Sequence, residues 1–164
     1  MEKTQKEIIE VYWQSFLASL PTDSPYRNRP FDTEGWGDSP EMADELGALI
    51  AAGTKTATCS AVWEWQTEGE SWPEIGHITI VLDGRDQPLC IIETLEVTIK
   101  PYNEVDAAFA FDEGEGDRSL AYWREVHHRF FSRSLAKIGK QFVEEMLLVC
   151  ERFRVIFTGS KNDI

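Results

Sequence analysis

The chain is poor in cysteine, poor in basic residues, and has no long apolar run. Its three cysteines, Cys59, Cys90 and Cys150, are widely separated, with no Cys-x-x-Cys pair. An odd number of scattered thiols makes neither a disulfide framework nor a zinc-type spacing. Each lies in an apolar, strand-like stretch, which reads as a reduced, mostly buried thiol of a cytoplasmic protein. Lys and Arg number 16 against 29 Asp and Glu, a formal net charge of -13. So few cations argue against tight, nonspecific binding to duplex DNA or long RNA, where affinity comes from neutralising phosphates. A small neutral substrate, or a short nucleic acid in a local basic cleft, stays compatible with that charge. No run of about 18 apolar residues occurs, so nothing is expected to span a membrane. The polar opening Met1-Glu2-Lys3-Thr4-Gln5-Lys6-Glu7 is not a signal peptide. No repeat, low-complexity tract or calcium-loop spacing is visible, so neither a metal nor a cofactor is assigned.

What is present is enough apolar material for one core: 42% hydrophobic and 12% aromatic residues over 164 positions. Ile8, Ile9, Tyr12, Phe16 and Leu20 recur at helical spacing, which predicts a helix over 7–20 that Pro21 ends. Residues 22–37, with Pro25, Pro30 and two glycines, read as a loop punctuated by Tyr26, Phe31 and Trp36. Ser39 and Pro40 form a helix start, Met42, Leu46, Leu49 and Ile50 its inner face, and Gly53 its stop. Strands are expected over 56–63, 77–82, 89–99 and 146–157. A short helix or loop is expected over 105–111. Helices are expected over 118–131, with Asp117 as N-cap, and over 138–145. The order is α+β, and several twisted strands favour a small β-barrel with helices packed around it. The division expected is an N-terminal helix and loop over 1–29, a main domain over 30–157 and a frayed tail over 158–164.

Two stretches carry chemistry. Gly53-Thr54-Lys55-Thr56-Ala57-Thr58-Cys59-Ser60 concentrates a lysine, several hydroxyls and a thiol just after a helix. Asp112-Glu113-Gly114-Glu115-Gly116-Asp117-Arg118 offers carboxylates on a glycine-containing loop. A lysine, a hydroxyl and a carboxylate are the groups that acyl transfer or hydrolysis requires.

With these motifs, the Ile91-Ile92-Glu93-Thr94 strand, the helix bearing Trp123 and His127, and Cys150-Glu151-Arg152-Phe153, the chain resembles ASCH-domain proteins, relatives of the PUA-like β-barrels. The likeness covers about residues 30–157. It implies a PUA-like barrel with a cleft near the lysine motif. One small member of the wider family removes the acetyl group from cytidine acetylated on its exocyclic amine, using a lysine, a threonine and a glutamate. Lys55 and Thr58 fall on the first two, and Glu115 is the best match to the third, with Glu113 or Asp117 as substitutes. Other members imply ribonuclease activity on single-stranded RNA, or RNA binding without chemistry. Thr56, Ser60, Glu93, Arg118 and Trp63 are the accompanying candidates for substrate binding. The implied partner is a small nucleoside or RNA.

The residues admit plainer roles too. Lys55 either loses its proton in an apolar setting and serves as a base, or stays charged and stabilises an oxyanion; it is otherwise a cation near a helix C-terminus. Thr58 is an ordinary strand residue unless a base lies within reach. Positions three apart face opposite sides of a regular strand, so Lys55 and Thr58 share a site only if the chain bends between them. With a regular strand, Lys55, Ala57 and Cys59 share a face, and a lysine–cysteine site is the rival. Gly114 and Gly116 are expected to permit close backbone approach to a ligand, without serving as caps. Glu93 is either outward and solvated or inward and functional. His127 falls on the inner face of its helix, where a satisfied core histidine is the plainer reading.

Overall fold

Helix α1 (Gln5–Ala18) starts at a capping box. The Thr4 hydroxyl accepts the Glu7 N–H, and the Glu7 carboxylate accepts the Thr4 N–H at 2.7 Å. A computed structural model describes residues 1–159. The tail expected at 158–164 is thus described only at Thr158 and Gly159, and its remainder lies outside the described residues. The chain divides into two compact units, one formed by residues 1–53, 77–93 and the segment from Arg154, the other by residues 54–76 and 94–153.

In the first unit, the helical spacing of α1 turns Trp13, Phe16 and Leu17 inward. Strand β3 (Ile78–Leu82) is buried at every position and pairs antiparallel with the start of β4 (Pro88–Pro101). Trp13, Phe16, Leu17, Ile78, Ile80, Leu82 and Ile91 form the core. The segment expected as loop holds a 3-10 turn at Pro25–Asn28 and a strand, β1 (Asp32–Gly35), running parallel to β3. All four β1 residues are exposed, so no apolar alternation betrays the strand; backbone pairing with β3 makes it. Helix α2 (Pro40–Ala51) begins as expected, with Ser39 Oγ accepting the Met42 N–H at 3.1 Å. Gly53, beyond the end of α2, has the positive φ of a left-handed residue.

The second unit holds β2 (Ala57–Ala61), α3 (Val62–Glu68), the rest of β4, α4 (Ala107–Glu113), α5 (Leu120–Ala136) and most of β5 (Leu147–Phe157). The strand expected through Trp63 stops at Ala61 and becomes α3, a helix without a side-chain N-cap bond that ends at left-handed Gly69. Its Trp63 and Trp65 are residues common in strands, which hid it. Helix α5 is capped by Ser119, not Asp117: Ser119 Oγ accepts the Tyr122 N–H at 3.1 Å, while Asp117 Oδ1 accepts the Ser119 N–H at 2.9 Å. No helix forms over 138–145. Gly139, at φ +72°, turns the chain, and the Lys140 N–H returns to Leu135 O at 2.9 Å, closing α5 instead. Ala57, Ala61, Tyr102, Phe109, Trp123, Phe131, Leu135 and Leu148 are among the core residues. Strands hydrogen-bond in the order β1-β3-β4 in the first unit and β4-β5-β2 in the second. Nothing among the described residues forms a helix long and apolar enough to cross a membrane.

Candidate functional site

Two motifs far apart in sequence meet inside the second unit. The Thr56 N–H donates to Asp112 O, the end of α4, at 2.7 Å, and Thr56 O accepts the Phe153 N–H of β5 at 3.0 Å. The Thr56 hydroxyl also reaches Asp112 O, at 3.4 Å. The lysine motif is thereby strapped between α4 and β5.

Gly114 closes α4 with φ +72°, so it is a helix cap after all, against the sequence expectation. Its lack of a side chain serves a second purpose. A Cβ here would stand 2.6 Å from Thr54 O and 2.9 Å from Lys55 Cα. The close approach it permits is to the lysine motif's own backbone. Arg118, itself at φ +63°, fastens the same loop. Its Nε donates to Phe111 O at 2.9 Å, its terminal nitrogen to Thr54 O at 3.4 Å, and its guanidinium lies 3.6 Å from the centroid of the Phe111 ring.

This scaffold seals Lys55, which is 2% exposed. Its ammonium donates to Glu113 O at 3.3 Å, Glu113 Oε1 at 3.4 Å and Glu115 Oε2 at 3.3 Å. An ammonium has three hydrogens, and here each has an oxygen. Glu113, equally buried, turns its second oxygen to α5. Oε2 accepts the Trp123 indole N–H, lies 3.1 Å from His127 Nε2, and is 3.8 Å from Cys59 Sγ. His127 Nδ1 lies 2.8 Å from Trp123 O, and the two rings stack at 4.2 Å. One helical turn separates Trp123 from His127, so both reach the same carboxylate.

The electrostatics follow from this geometry. Burial pulls the Lys55 pKa down, but the carboxylates of Glu113 and Glu115 outweigh it, and the net direction is up. Lys55 therefore stays an ammonium, the opposite of the protonation state a base needs. Burial pushes Glu113 up, yet the charges of His127 and Lys55, with the His127 and Trp123 hydrogen bonds, bring it down to about 2. Burial pulls His127 down, and the Glu113 carboxylate more than offsets that, so it is raised. Burial, then the Glu113 charge, pushes the Cys59 thiol well above its ordinary value. Two cations and two carboxylates thus balance in a nearly dry setting, where an unpaired charge would be costly.

Cys59, Glu113 and His127 also bring three metal-ligating atoms within 4.8 Å of one another. The convergence has another cause. His127 and Cys59 both face Glu113 Oε2, which takes the Trp123 N–H as well, while Lys55 holds Oε1. A metal cation would have to compete with two protein cations for one carboxylate.

The remaining candidates are placed as follows. Regular strand begins at Ala57, and Cys59 packs with Ala57 and Ala61 against the core. Alternation turns Thr58 and Ser60 to the other face. Thr58 stands opposite Glu151 in the register, and Ser60 Oγ accepts the Trp65 indole N–H at 2.8 Å. Trp63 packs against the core, with Lys140 Nζ 5.4 Å from its ring centroid. Glu93 belongs to the first unit. There it accepts the Tyr26 phenol and meets Arg29 at 3.9 Å and Arg154 at 3.5 Å. The structure thus gathers Lys55, Glu115, Thr56 and Arg118 around the α4–α5 loop, together with Glu113, named from the sequence as a substitute for Glu115, and adds Trp123 and His127. The one sequence signal for the additions was the four-residue spacing of Trp123 and His127 on an inner helix face.

The ASCH domain family model matches residues 33–157. A crystal structure of an ASCH domain from Lactobacillus crispatus JV V101 is 36% identical, with a TM-score of 0.85, covering 91% of this chain and 94% of that one. A crystal structure of a protein from Enterococcus faecalis V583 is 43% identical, with a TM-score of 0.79, covering 91% and 88%. No curated protein matches the chain. The α+β, PUA-like class expected from the sequence is the class of the fold.

Proposed function

Because the chain belongs to the ASCH domain family, we propose that the Lys55 cluster is the site of a hydrolase acting on the amide of an acylated cytidine-type nucleoside. The observation that carries this reading is the unequal pair of carboxylates on one ammonium. Glu113 is 2% exposed at its side chain and Glu115 is 20% exposed. Glu113, with Trp123 and His127 behind it, fixes and charges Lys55. Glu115 is the partner that reaches solvent and can be exchanged.

The chemistry follows. Glu115 takes a proton from water as the water oxygen adds to the amide carbon. Neutralised, Glu115 releases its share of the Lys55 ammonium, and the freed N–H holds the oxyanion. Glu115 then returns the proton to the exocyclic nitrogen as the C–N bond breaks, leaving a carboxylic acid and cytidine. A surface of net charge -13 suits a small neutral substrate. Cleavage of RNA ranks lower, since Lys55 and His127 are buried and paired and Arg118 is committed to Phe111 O and Thr54 O.

The test is a chromatographic time course with cytidine acetylated on its exocyclic amine. Wild type releases cytidine, while Lys55→Met and Glu115→Gln lose at least about 100-fold in kcat. Thr58 lies on the strand face opposite Cys59, so Thr58→Val should retain turnover, and lost turnover in a folded variant would overturn water as the nucleophile in favour of the Thr58 hydroxyl. Wild-type protein without product, or full activity in Glu115→Gln, overturns the proposal. Cleavage of a labelled single-stranded RNA would then move the site to phosphodiester chemistry, and thermal stabilisation by the nucleoside without product would make it a binding module.

A further inference from the structure

Cys59 and Cys150 are registered partners across the antiparallel pair β2–β5. The parity of the ladder fixes how close they come. The Phe153 N–H donates to Thr56 O at 3.0 Å, one step beyond the Ala57–Arg152 pair, so Thr56–Phe153 is a hydrogen-bonding position. Alternation makes Ala57–Arg152 and Cys59–Cys150 non-hydrogen-bonded pairs, where facing Cα atoms stand about 4.5 Å apart and side chains are closest. That lies inside the roughly 4.4–6.8 Å over which a disulfide closes. Cys150 is part of the core that Ala57 and Ala61 help to form, and Cys59 packs against that same core, so the two side chains share a face. Both are free thiols, and the hydrolysis proposed above uses neither.

We propose that Cys59 and Cys150 form a modification site, a reversible cross-strand disulfide made by a peroxide-class oxidant. Cys59 reacts first, since it is half-buried while Cys150 is 3% exposed. Its sulfur attacks one peroxide oxygen and the O–O bond breaks. The departing hydroxide leaves as water with the thiol proton, and Cys59 is a sulfenic acid. The Cys150 sulfur then attacks the Cys59 sulfur, the S–O bond breaks, and a second water leaves with the Cys150 proton. Two thiols are oxidised, one peroxide is reduced, and the products are one disulfide and two waters. Burial pushes both thiols up, Cys150 to about 12, so the first step is slow at neutral pH and the second follows by proximity. Dithiothreitol reverses the link by thiol–disulfide exchange, which returns both thiols. Closure also withdraws the Cys59 S–H from Glu113 Oε2, now 3.8 Å away.

The folded full chain is incubated with hydrogen peroxide, alkylated, digested and mapped by mass spectrometry, with and without later dithiothreitol. The expected product is a Cys59–Cys150 linked peptide pair that dithiothreitol releases. Cys90, buried in the first unit opposite Val81, serves as the internal control and stays out of the link. In Cys150→Ser, the same treatment carries Cys59 on to sulfinic acid, because no resolving thiol faces it. Wild-type Cys59 that stops at sulfinic acid, wild type left unoxidised, or a link containing Cys90 overturns the proposal.

Discussion

Glu93 in the first unit and Glu113 in the second have nearly the same list of partners. Each carries two cations and one aromatic donor: Arg29, Arg154 and Tyr26 for Glu93, and Lys55, His127 and Trp123 for Glu113. Their surroundings differ. The side chains of Arg29 and Arg154 are 35% and 56% exposed, those of Lys55 and His127 2% and 11%. Water and salt share the first set of charges and barely reach the second. A list of ion pairs therefore says little; with Glu93 itself 13% exposed and Glu113 2%, it is the burial of the cations that decides whether a carboxylate is a solvent-screened clasp or the keystone of a sealed cluster.

Breaking the keystone has the largest expected effect. Glu113→Gln leaves two cations facing a neutral amide in the interior, and should cost about 3–5 kcal/mol of unfolding free energy, measured by urea denaturation. Glu93→Gln should cost about 0–1 kcal/mol, beyond the lost Tyr26 hydrogen bond of about 0.5–1.5 kcal/mol. Equal losses at the two positions would erase the distinction.

The pH dependence sharpens it further. Glu113 is held at about 2, below its ordinary 4.5, so its contribution is full above 4.5 and fades as pH falls toward 2. His127 is raised above its ordinary 6.5, so its contribution is full below 6.5 and is lost as pH rises through its folded pKa. The cluster should stabilise most between pH 4.5 and 6.5, seen as a maximum in Tm against pH. His127→Gln should remove the alkaline limb and leave the acid limb. A Tm that climbs steadily through pH 8 in the wild type contradicts a charged His127.

The smallest effect is that of salt. Raising sodium chloride to about 1 M shortens the Debye length to about 3 Å. That should shrink the Glu93→Gln difference toward zero and leave the Glu113→Gln difference nearly unchanged, both read from denaturation midpoints. The reverse pattern would place the sealed cluster in water.

Several parts of the molecule were legible because their signals are local. Ser39 and Pro40 mark the start of α2, and the apolar periods of α1 and α5 give those helices. The apolar runs around Ile80, Ile91 and Val149 give β3, β4 and β5. Other parts were not local. Strand β1 has no buried residue and exists through pairing with β3. Helix α3 begins without a capping side chain. The segment after Gly139 looks helical in composition, yet Ile138 and Phe142 fold back on the core instead.

Residue types and spacing alone made Lys55 and an acidic glycine loop stand out, and marked the chain as an α+β protein with three scattered cysteines. Folding settles which carboxylates meet Lys55, that its charge is kept, and that Trp123 and His127 hold the far oxygen of Glu113. The resemblance put Glu115 ahead of Glu113 and Asp117, but residue type alone could not separate their settings, because the difference lies in solvent exposure. Exposure depends on what α5 and β2 place against α4, contacts between residues dozens of positions apart. The pairing of Cys59 with Cys150 has the same origin, since β-register is a property of two strands together.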